Sequence, residues 1–167
     1  MADELQSLQQ SAPLIMLIGL PGSGKSTWAK RFVEVRPDYR LVATDDIRYQ
    51  LYGDEAIQGE WLQIWRTVLG QLKDARAAIA AGTLSSVIYD ATNARRRHRR
   101  EFIQAAQLQS YSPIHALWID TPLETCLARN RSRRRQVPSE VIEKMHRQLT
   151  DAPPTAAEGF ASIKRIV

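Results

Sequence analysis

The chain has 167 residues, of which 44% are hydrophobic, and a formal net charge of +5. This length suits about one domain with a sizeable core, and no apolar stretch approaches the ~20 residues that a membrane span needs. The acidic start lacks the features of a secretory signal, and a single cysteine, Cys126, excludes an intrachain disulfide. We therefore predict a cytoplasmic protein without a membrane partner, with a polar arm at residues 1–12 and one domain at residues 13–167.

The first predicted strand, Leu14–Ile18, leads into a glycine-rich loop and then into a predicted helix, Lys25–Val35. The loop sequence GLPGSGKS at residues 19–26 fits the phosphate-binding pattern G-x-x-x-x-G-K-[ST]. Glycines let the backbone wrap a polyphosphate with its N–H groups directed inward, and the helix N-terminus attracts the same anion. Lys25 would reach the β- and γ-phosphates, and Ser26 would hold Mg²⁺. The candidate nucleotide-binding residues here are Gly22, Ser23, Gly24, Lys25, Ser26 and Thr27.

The second predicted strand, residues 41–43, is followed directly by the polar sequence TDDIR at residues 44–48. A carboxylate at this strand end would lie beside the glycine-rich loop, where Asp45 could accept the proton of an attacking hydroxyl. Asp and Thr are also good helix N-caps, and a helix could begin at Asp46. The motif alone leaves both interpretations open.

A long amphipathic helix is predicted after a loop at residues 53–59. Its apolar residues recur at helical spacing from Trp61 and Trp65 to Ile79, and the helix ends near Gly82. We interpret this stripe as core packing rather than as a platform on which nucleobases stack.

The third predicted strand, residues 87–89, ends at Asp90. This carboxylate could bind Mg²⁺ or its water, or hold a catalytic side chain. Thr92 and Asn93 could cap the next helix, residues 95–109, which begins with the run RRRHRR. A solvated surface is the ordinary interpretation of such a run. However, these cations lie at the positive end of the helix dipole, which favours an anion there, such as a nucleic-acid phosphate.

The remaining elements complete an alternating pattern. Strands are predicted at Ile114–Ile119 and at residues 162–167, and helices at residues 122–131 and 138–149. Five arginines at residues 129–135 could form a mobile lid over ATP, or only a solvated helix end. Strands that alternate with helices predict a three-layer α/β fold with a mostly parallel sheet, and ligands bind beyond the carboxyl ends of such strands.

Taken in order, these motifs resemble the P-loop kinase family that contains the polynucleotide 5′-hydroxyl kinases and the related zeta toxins. The matching segments are residues 19–26, 44–48, 90–93, 129–133 and 137–138. Residues 152–160 also look like the closing segment of the kinase domain in eukaryotic polynucleotide kinase-phosphatases. The sequence contains no Asp-x-Asp-x-Thr, so we expect no phosphatase half.

The resemblance implies roles for single residues. Asp45 would be the general base, and Arg48 would contact the nucleic-acid phosphate next to the reactive end. Arg129 and Arg133 would contact ATP phosphates, with Arg133 the better match to the lid position. The catalytic candidates are then Lys25, Asp45 and Arg133, and the candidates beside the substrate are Arg48, Asp90 and Asn93.

The expected function is ATP- and Mg²⁺-dependent transfer of a γ-phosphoryl group to a hydroxyl, with the 5′-hydroxyl of a polynucleotide favoured as the acceptor. The first alternative is a small-molecule kinase of the same fold, similar to the zeta toxins, antibiotic phosphotransferases or gluconate kinases. The second is a nucleotide-dependent binding module in which Asp45 only caps a helix. The arginine runs favour nucleic acid over a neutral sugar.

Overall fold

The computed structural model describes residues 11–167 of the chain. Five strands form one sheet in the order β2-β3-β1-β4-β5, and every neighbouring pair is parallel. In the centre of the sheet, Met16 is in register with Tyr89 on one side and with Ala116 on the other. The strands are β1 Leu14–Ile18, β2 Tyr39–Ala43, β3 Ser86–Asp90, β4 Ile114–Ile119 and β5 Ser162–Ile166.

Six α-helices within residues 11–167 connect or cover the strands. They are α1 Lys25–Val35, α2 Thr44–Tyr52, α3 Trp61–Ala80, α4 Arg96–Leu108, α5 Leu123–Arg131 and α6 Ser139–Asp151. A short 3₁₀ helix, Ala156–Glu158, precedes β5. No helix in this part of the chain has the length and apolar character needed to cross a bilayer.

Helices cover both faces of the sheet because successive strand side chains point to opposite faces. In β1, Leu14 and Met16 belong to the larger core, to which α3, α4, α5 and α6 contribute. Leu17 points the other way and packs with Ala29 and Phe32 of α1. The predicted three-layer α/β fold with a parallel sheet is confirmed.

The parallel arrangement brings four strand ends to one edge of the sheet. There β1 runs into the glycine-rich loop and β2 runs directly into α2, while β3 ends at Asp90 and β4 at Ile119. Binding sites of open α/β sheets lie at this edge. Side chains that are far apart in the sequence therefore meet here.

Two element boundaries differ from those considered in the sequence. Helix α2 begins at Thr44 rather than at Asp46, with Ala43 as its N-cap residue. The predicted polar arm does not extend to Ala12, which is buried and pairs with Ser112 through two backbone hydrogen bonds of 3.1 and 3.0 Å. An apolar residue with both backbone groups paired belongs to the domain. The rest of the predicted arm, residues 1–10, lies outside the described residues.

The arginine run at the start of α4 is divided between surface and interior, so neither a solvated face nor an anion site describes all of it. Arg99 is fully buried, and its guanidinium donates to both carboxylate oxygens of Glu158 at 2.7 and 2.8 Å. It also donates to backbone carbonyl oxygens of Asn93, Ala94 and Ala152. Because every donor atom of this guanidinium has a partner, Arg99 ties α4 to the segment before β5.

We expect Arg99→Met to destabilise the protein by about 3–5 kcal/mol, because the buried Glu158 carboxylate loses its two shortest charged hydrogen bonds and keeps only a longer contact with Arg96 at 3.6 Å. Arg97→Met is the matched control, since the Arg97–Glu101 pair lies on the exposed side of the same helix. That change should leave the free energy of unfolding almost unaltered. Urea unfolding of the two variants measures the difference, and equal effects would show that the buried pair does not hold the fold.

Candidate active site

The glycine-rich loop between β1 and α1 is fixed by close backbone contacts. Gly22 and Gly24 adopt left-handed conformations with φ of 83° and 100°, and Gly24 is the N-cap residue of α1. A Cβ atom at Gly22 would lie 2.6 Å from the carbonyl oxygen of Cys126, which is buried with a free thiol. Any side chain at position 22 would therefore clash with this backbone. The loop thus surrounds the N-terminus of an 11-residue helix, the arrangement that binds phosphate.

Lys25 is buried beneath this loop, where its Nζ donates to the carbonyl oxygen of Leu20 at 3.0 Å. Burial lowers the pKa of Lys25, and the nearby carboxylates of Asp90 and Asp45 oppose that shift. A phosphate in the loop would add further negative charge and stabilise the ammonium form. An anion bound in the loop would therefore favour the charged form of Lys25.

Asp90 at the end of β3 lies next to Ser26 and is only 6% exposed. Burial raises the pKa of Asp90, against the effects of Lys25 and of a hydrogen bond that the Ser26 hydroxyl donates to the carboxylate. Mg²⁺ prefers oxygen ligands and is usually held by one or two carboxylates together with substrate phosphates. Within residues 11–167, no group of three or more His, Cys, Asp or Glu could hold a metal alone. Ser26 and Asp90 thus fit a Mg²⁺ ion that arrives with a nucleotide.

Asp45 lies in the first turn of α2 and binds two arginines. Its Oδ1 accepts hydrogen bonds from Nη1 of Arg48 at 2.9 Å and from Nη1 of Arg135 at 2.8 Å. The helix has no side-chain cap, and Ala43 occupies the cap position, so Asp45 does not cap α2. Its side chain is 44% exposed and lines the same cavity as Lys25. The carboxylate is thus accessible to a substrate hydroxyl.

The arginine-rich segment between α5 and α6, residues 132–138, is held as a loop by Asn130. The Asn130 amide nitrogen donates to the carbonyl oxygen of Val137 at 2.7 Å, and its amide oxygen accepts from the Val137 N–H at 2.9 Å. Arg129 donates to the carbonyl oxygen of Gly22 at 3.4 Å, which links the base of this loop to the glycine-rich loop. The predicted lid position therefore borders the cavity.

Two lid arginines have different surroundings. Arg133, predicted as the catalytic lid residue, lines the cavity near Lys25, whose pKa its charge lowers. Arg135 crosses the cavity to Asp45. The sequence reasoning missed the contact of Arg135 and the clamp formed by Asn130. In a run of five arginines, nothing in the sequence distinguishes the one that reaches the carboxylate.

Asn93, a predicted substrate contact, is buried at the cavity wall with a left-handed φ of 50°. Its amide nitrogen donates to the carbonyl oxygen of Leu17 at 2.7 Å and to that of Ala91 at 3.3 Å. This nitrogen is committed to the backbone, and it holds the end of β3 against β1. Contact of Asn93 with a substrate stays a prediction.

The cavity at this edge has a volume of about 1430 Å³. Its lining is strongly basic, because seven Lys or Arg side chains face three carboxylates. Thr27, predicted to bind nucleotide, also lines it. The cations are Lys25, Arg31, Arg48, Arg95, Arg129, Arg133 and Arg135. A cavity with this charge suits a ligand with several phosphates.

One sequence interpretation is partly wrong at the cavity. Val68, Leu72 and Ala75 of α3 are core residues, as predicted. Trp61 is 54% exposed, and it lines the cavity together with Trp65. The first turn of α3 borders the cavity, so its aromatic residue is not covered by other parts of the domain.

Comparison with known proteins identifies the family. An AAA domain family, AAA_33, matches residues 14–152. The chain belongs to this family. It is also 30% identical over 150 residues to an L-seryl-tRNA(Sec) kinase of Methanococcus maripaludis, across 85% of this chain and 54% of that protein. The chain thus spans about half the length of this relative.

Solved structures share the fold of this chain. One is in the Pnkp1/Rnl/Hen1 RNA repair complex, with a TM-score of 0.66, 24% identity and coverage of 84% of this chain and 44% of that chain. Another is a fungal RNA kinase, with a TM-score of 0.64, 15% identity and coverage of 94% and 74%. The predicted P-loop fold and the resemblance to P-loop kinases are confirmed.

We expect Gly22→Ala in this AAA_33 domain to weaken nucleotide binding roughly tenfold or more, the equivalent of ~1.4 kcal/mol. The new methyl group would meet the backbone of Cys126. Gly53→Ala is the matched control, because Gly53 has a similar φ of 74° but open space around a Cβ. Calorimetric titration with a non-hydrolysable nucleoside triphosphate compares them. Equal affinities would show that the loop tolerates a side chain at this approach.

Proposed function

We propose that this domain transfers the γ-phosphoryl group of ATP to a hydroxyl group of a nucleic acid, with the 5′-hydroxyl of a strand end as the favoured acceptor. The observation that carries the proposal is Asp45, an accessible carboxylate that lines the same cavity as Lys25 and is held by two arginines. A module that only bound nucleotide would need no carboxylate at this place. A kinase needs one to accept the proton of the acceptor hydroxyl.

On the donor side, the glycine-rich loop and Lys25 bind the β- and γ-phosphates of ATP. Ser26 and Asp90 would hold Mg²⁺, which, when bound, neutralises charge on the phosphates. Arg129 and Arg133 line the same cavity and add positive charge from the lid side. These groups are in place before the reaction, so they stabilise the developing charge without rearrangement of solvent.

On the acceptor side, Asp45 accepts the proton of the hydroxyl while the hydroxyl oxygen attacks the γ-phosphorus. The bond between the γ-phosphorus and the bridging oxygen breaks in line with this attack, and ADP leaves with that oxygen. Arg48 is 2.9 Å from Asp45, and this proximity supports a contact of Arg48 with a phosphate of the acceptor strand.

A nucleic-acid acceptor is favoured by the excess of cations around the cavity. A neutral sugar would gain little from this charge, whereas a strand end brings phosphates that the arginines can pair with. The name of the Methanococcus maripaludis relative, an L-seryl-tRNA(Sec) kinase, also points to RNA. Because the donor is ATP and Cys126 is a free thiol, the cytoplasm is the expected location.

We expect Asp45→Asn to reduce phosphoryl transfer by roughly 10²–10⁴-fold and to leave ATP affinity nearly unchanged, because the base acts in the chemical step. Asp46→Asn is the isosteric control in the same turn, where Asp46 is exposed and does not line the cavity. Transfer of labelled γ-phosphate to 5′-hydroxyl oligonucleotides and to small alcohols is the assay.

Three outcomes of that assay would change the proposal. Transfer to small alcohols but to no oligonucleotide would show that the acceptor is a small molecule rather than a nucleic acid. Equal rates for wild type and Asp45→Asn would show that Asp45 is not the general base. ATP binding without transfer to any acceptor would leave a nucleotide-binding module.

We expect Arg135→Ala to lower the single-turnover rate by roughly 10²–10³-fold, as loss of one preorganised donor does in other enzymes. Arg133→Ala should have an effect of similar size. Arg134→Ala is the control, because Arg134 is exposed and does not line the cavity. Equal, small effects at all three positions would show that the lid arginines do not take part in phosphoryl transfer.

A further inference from the structure

Four aromatic rings run from the core to the exposed part of the cavity wall. Tyr89 stacks on Phe102 with ring centroids 3.8 Å apart, and Phe102 meets Trp65 edge to face at 6.2 Å. Trp65 then stacks with Trp61 at 6.0 Å, with an interplanar angle of 23°. Tyr89 and Phe102 are buried, whereas Trp61 is 54% exposed. All four rings line the cavity that holds Asp45.

The exposed ring sits on a fixed support. Trp61 is the first residue of α3, and the chain before it is anchored by Tyr52. The Tyr52 hydroxyl accepts a hydrogen bond from the Glu60 N–H at 3.1 Å and donates to the side-chain oxygen of Gln63 at 2.8 Å. Gly59 has φ of 59°, and any side chain there would clash with the Tyr52 ring. The backbone of Trp61 is therefore held on both sides, and Trp65 backs its ring.

Positive charge connects the rings to the general base. Arg48 is 2.9 Å from Asp45. Burial raises the pKa of the Tyr89 hydroxyl, and the nearby charge of Arg48 opposes that shift. Arg95 and His98, at the start of α4, line the same cavity. Arg48 and Arg95 thus line the same cavity as the four aromatic rings and Asp45.

We propose that Trp61, backed by Trp65, is a stacking platform for an unpaired nucleobase within the first two nucleotides of the acceptor strand. This inference rests on the proposed function. Aromatic rings interleaved with cations are the pattern by which proteins bind single strands, since every base has a face to stack and every nucleotide a phosphate. A small alcohol would leave the Trp61 ring in water. The platform therefore selects single-stranded ends, whose terminal bases are not paired.

The test uses two oligonucleotides with the same 5′-hydroxyl and length. One has normal bases, and the other has abasic residues at its first two positions. We expect Trp61→Ala to raise KM for the normal strand by about 5- to 150-fold, the range for loss of one base–aromatic stack. It should not change KM for the abasic strand, kcat, or KM for ATP. Trp61→Phe, which keeps a ring, should restore most of the affinity.

Leu62→Ala is the matched control variant. Leu62 is the next residue of α3 and is 56% exposed, but it does not line the cavity. This variant should leave every parameter unchanged. Direct binding is measured in parallel by fluorescence anisotropy with labelled strands that end in a 5′-deoxy group, because these strands bind but cannot accept phosphate.

The outcomes separate the platform from the proposed reaction. Transfer to oligonucleotides with no effect of Trp61→Ala, or with equal effects on normal and abasic strands, overturns the platform and keeps the kinase. Binding that depends on both Trp61 and the terminal bases, without any transfer, supports the platform and overturns the reaction. Absence of both binding and transfer overturns both.

Discussion

The site depends on two opposite charges that are buried together at the edge of the sheet. Lys25 and Asp90 are both almost covered by protein, and each charge partly offsets the cost of burying the other. Their proximity follows from the topology, because β1 and β3 are neighbours and both end at this edge. Ser26 adds a hydrogen bond to the Asp90 carboxylate. The pair therefore lies at the start of α1, beside the other groups that line the cavity.

Much of this arrangement could be predicted from local sequence, and the rest could not for a physical reason. An apolar run, a glycine-rich loop and a helix are contiguous, and the rule for parallel strands places Asp45 and Asp90 at the same edge. Contacts such as Arg135 with Asp45, 90 residues apart, join side chains that no local pattern links. Arg99 is different. It shares one helix face with Phe102, Ile103 and Ala106, at positions i, i+3, i+4 and i+7, so helical periodicity could have identified the arginine that turns inward.

Trp61 shows what a periodic stripe does and does not determine. Helical spacing correctly assigns Trp61 and Trp65 to the same side of α3 as Val68 and Leu72. The spacing gives the direction in which a side chain points, but it does not show whether other elements cover that turn of the helix. At its first turn α3 borders the cavity, so the same apolar face changes from core to ligand wall along its length. Whether a stripe ends in a core or in a binding surface is therefore decided by the tertiary structure.

The lid and the base are coupled by one contact. Arg135 binds the same carboxylate oxygen of Asp45 as Arg48, so the loop between α5 and α6 is tied across the cavity to α2. In the proposed reaction, the Asp45 carboxylate accepts a proton, and its interaction with Arg135 would weaken as the carboxylate loses its charge. The freed guanidinium would then be available to the transferring phosphoryl group. Positive charge would thus move from the base to the transferring group as the proton moves to the base, which couples lid position to the progress of the reaction.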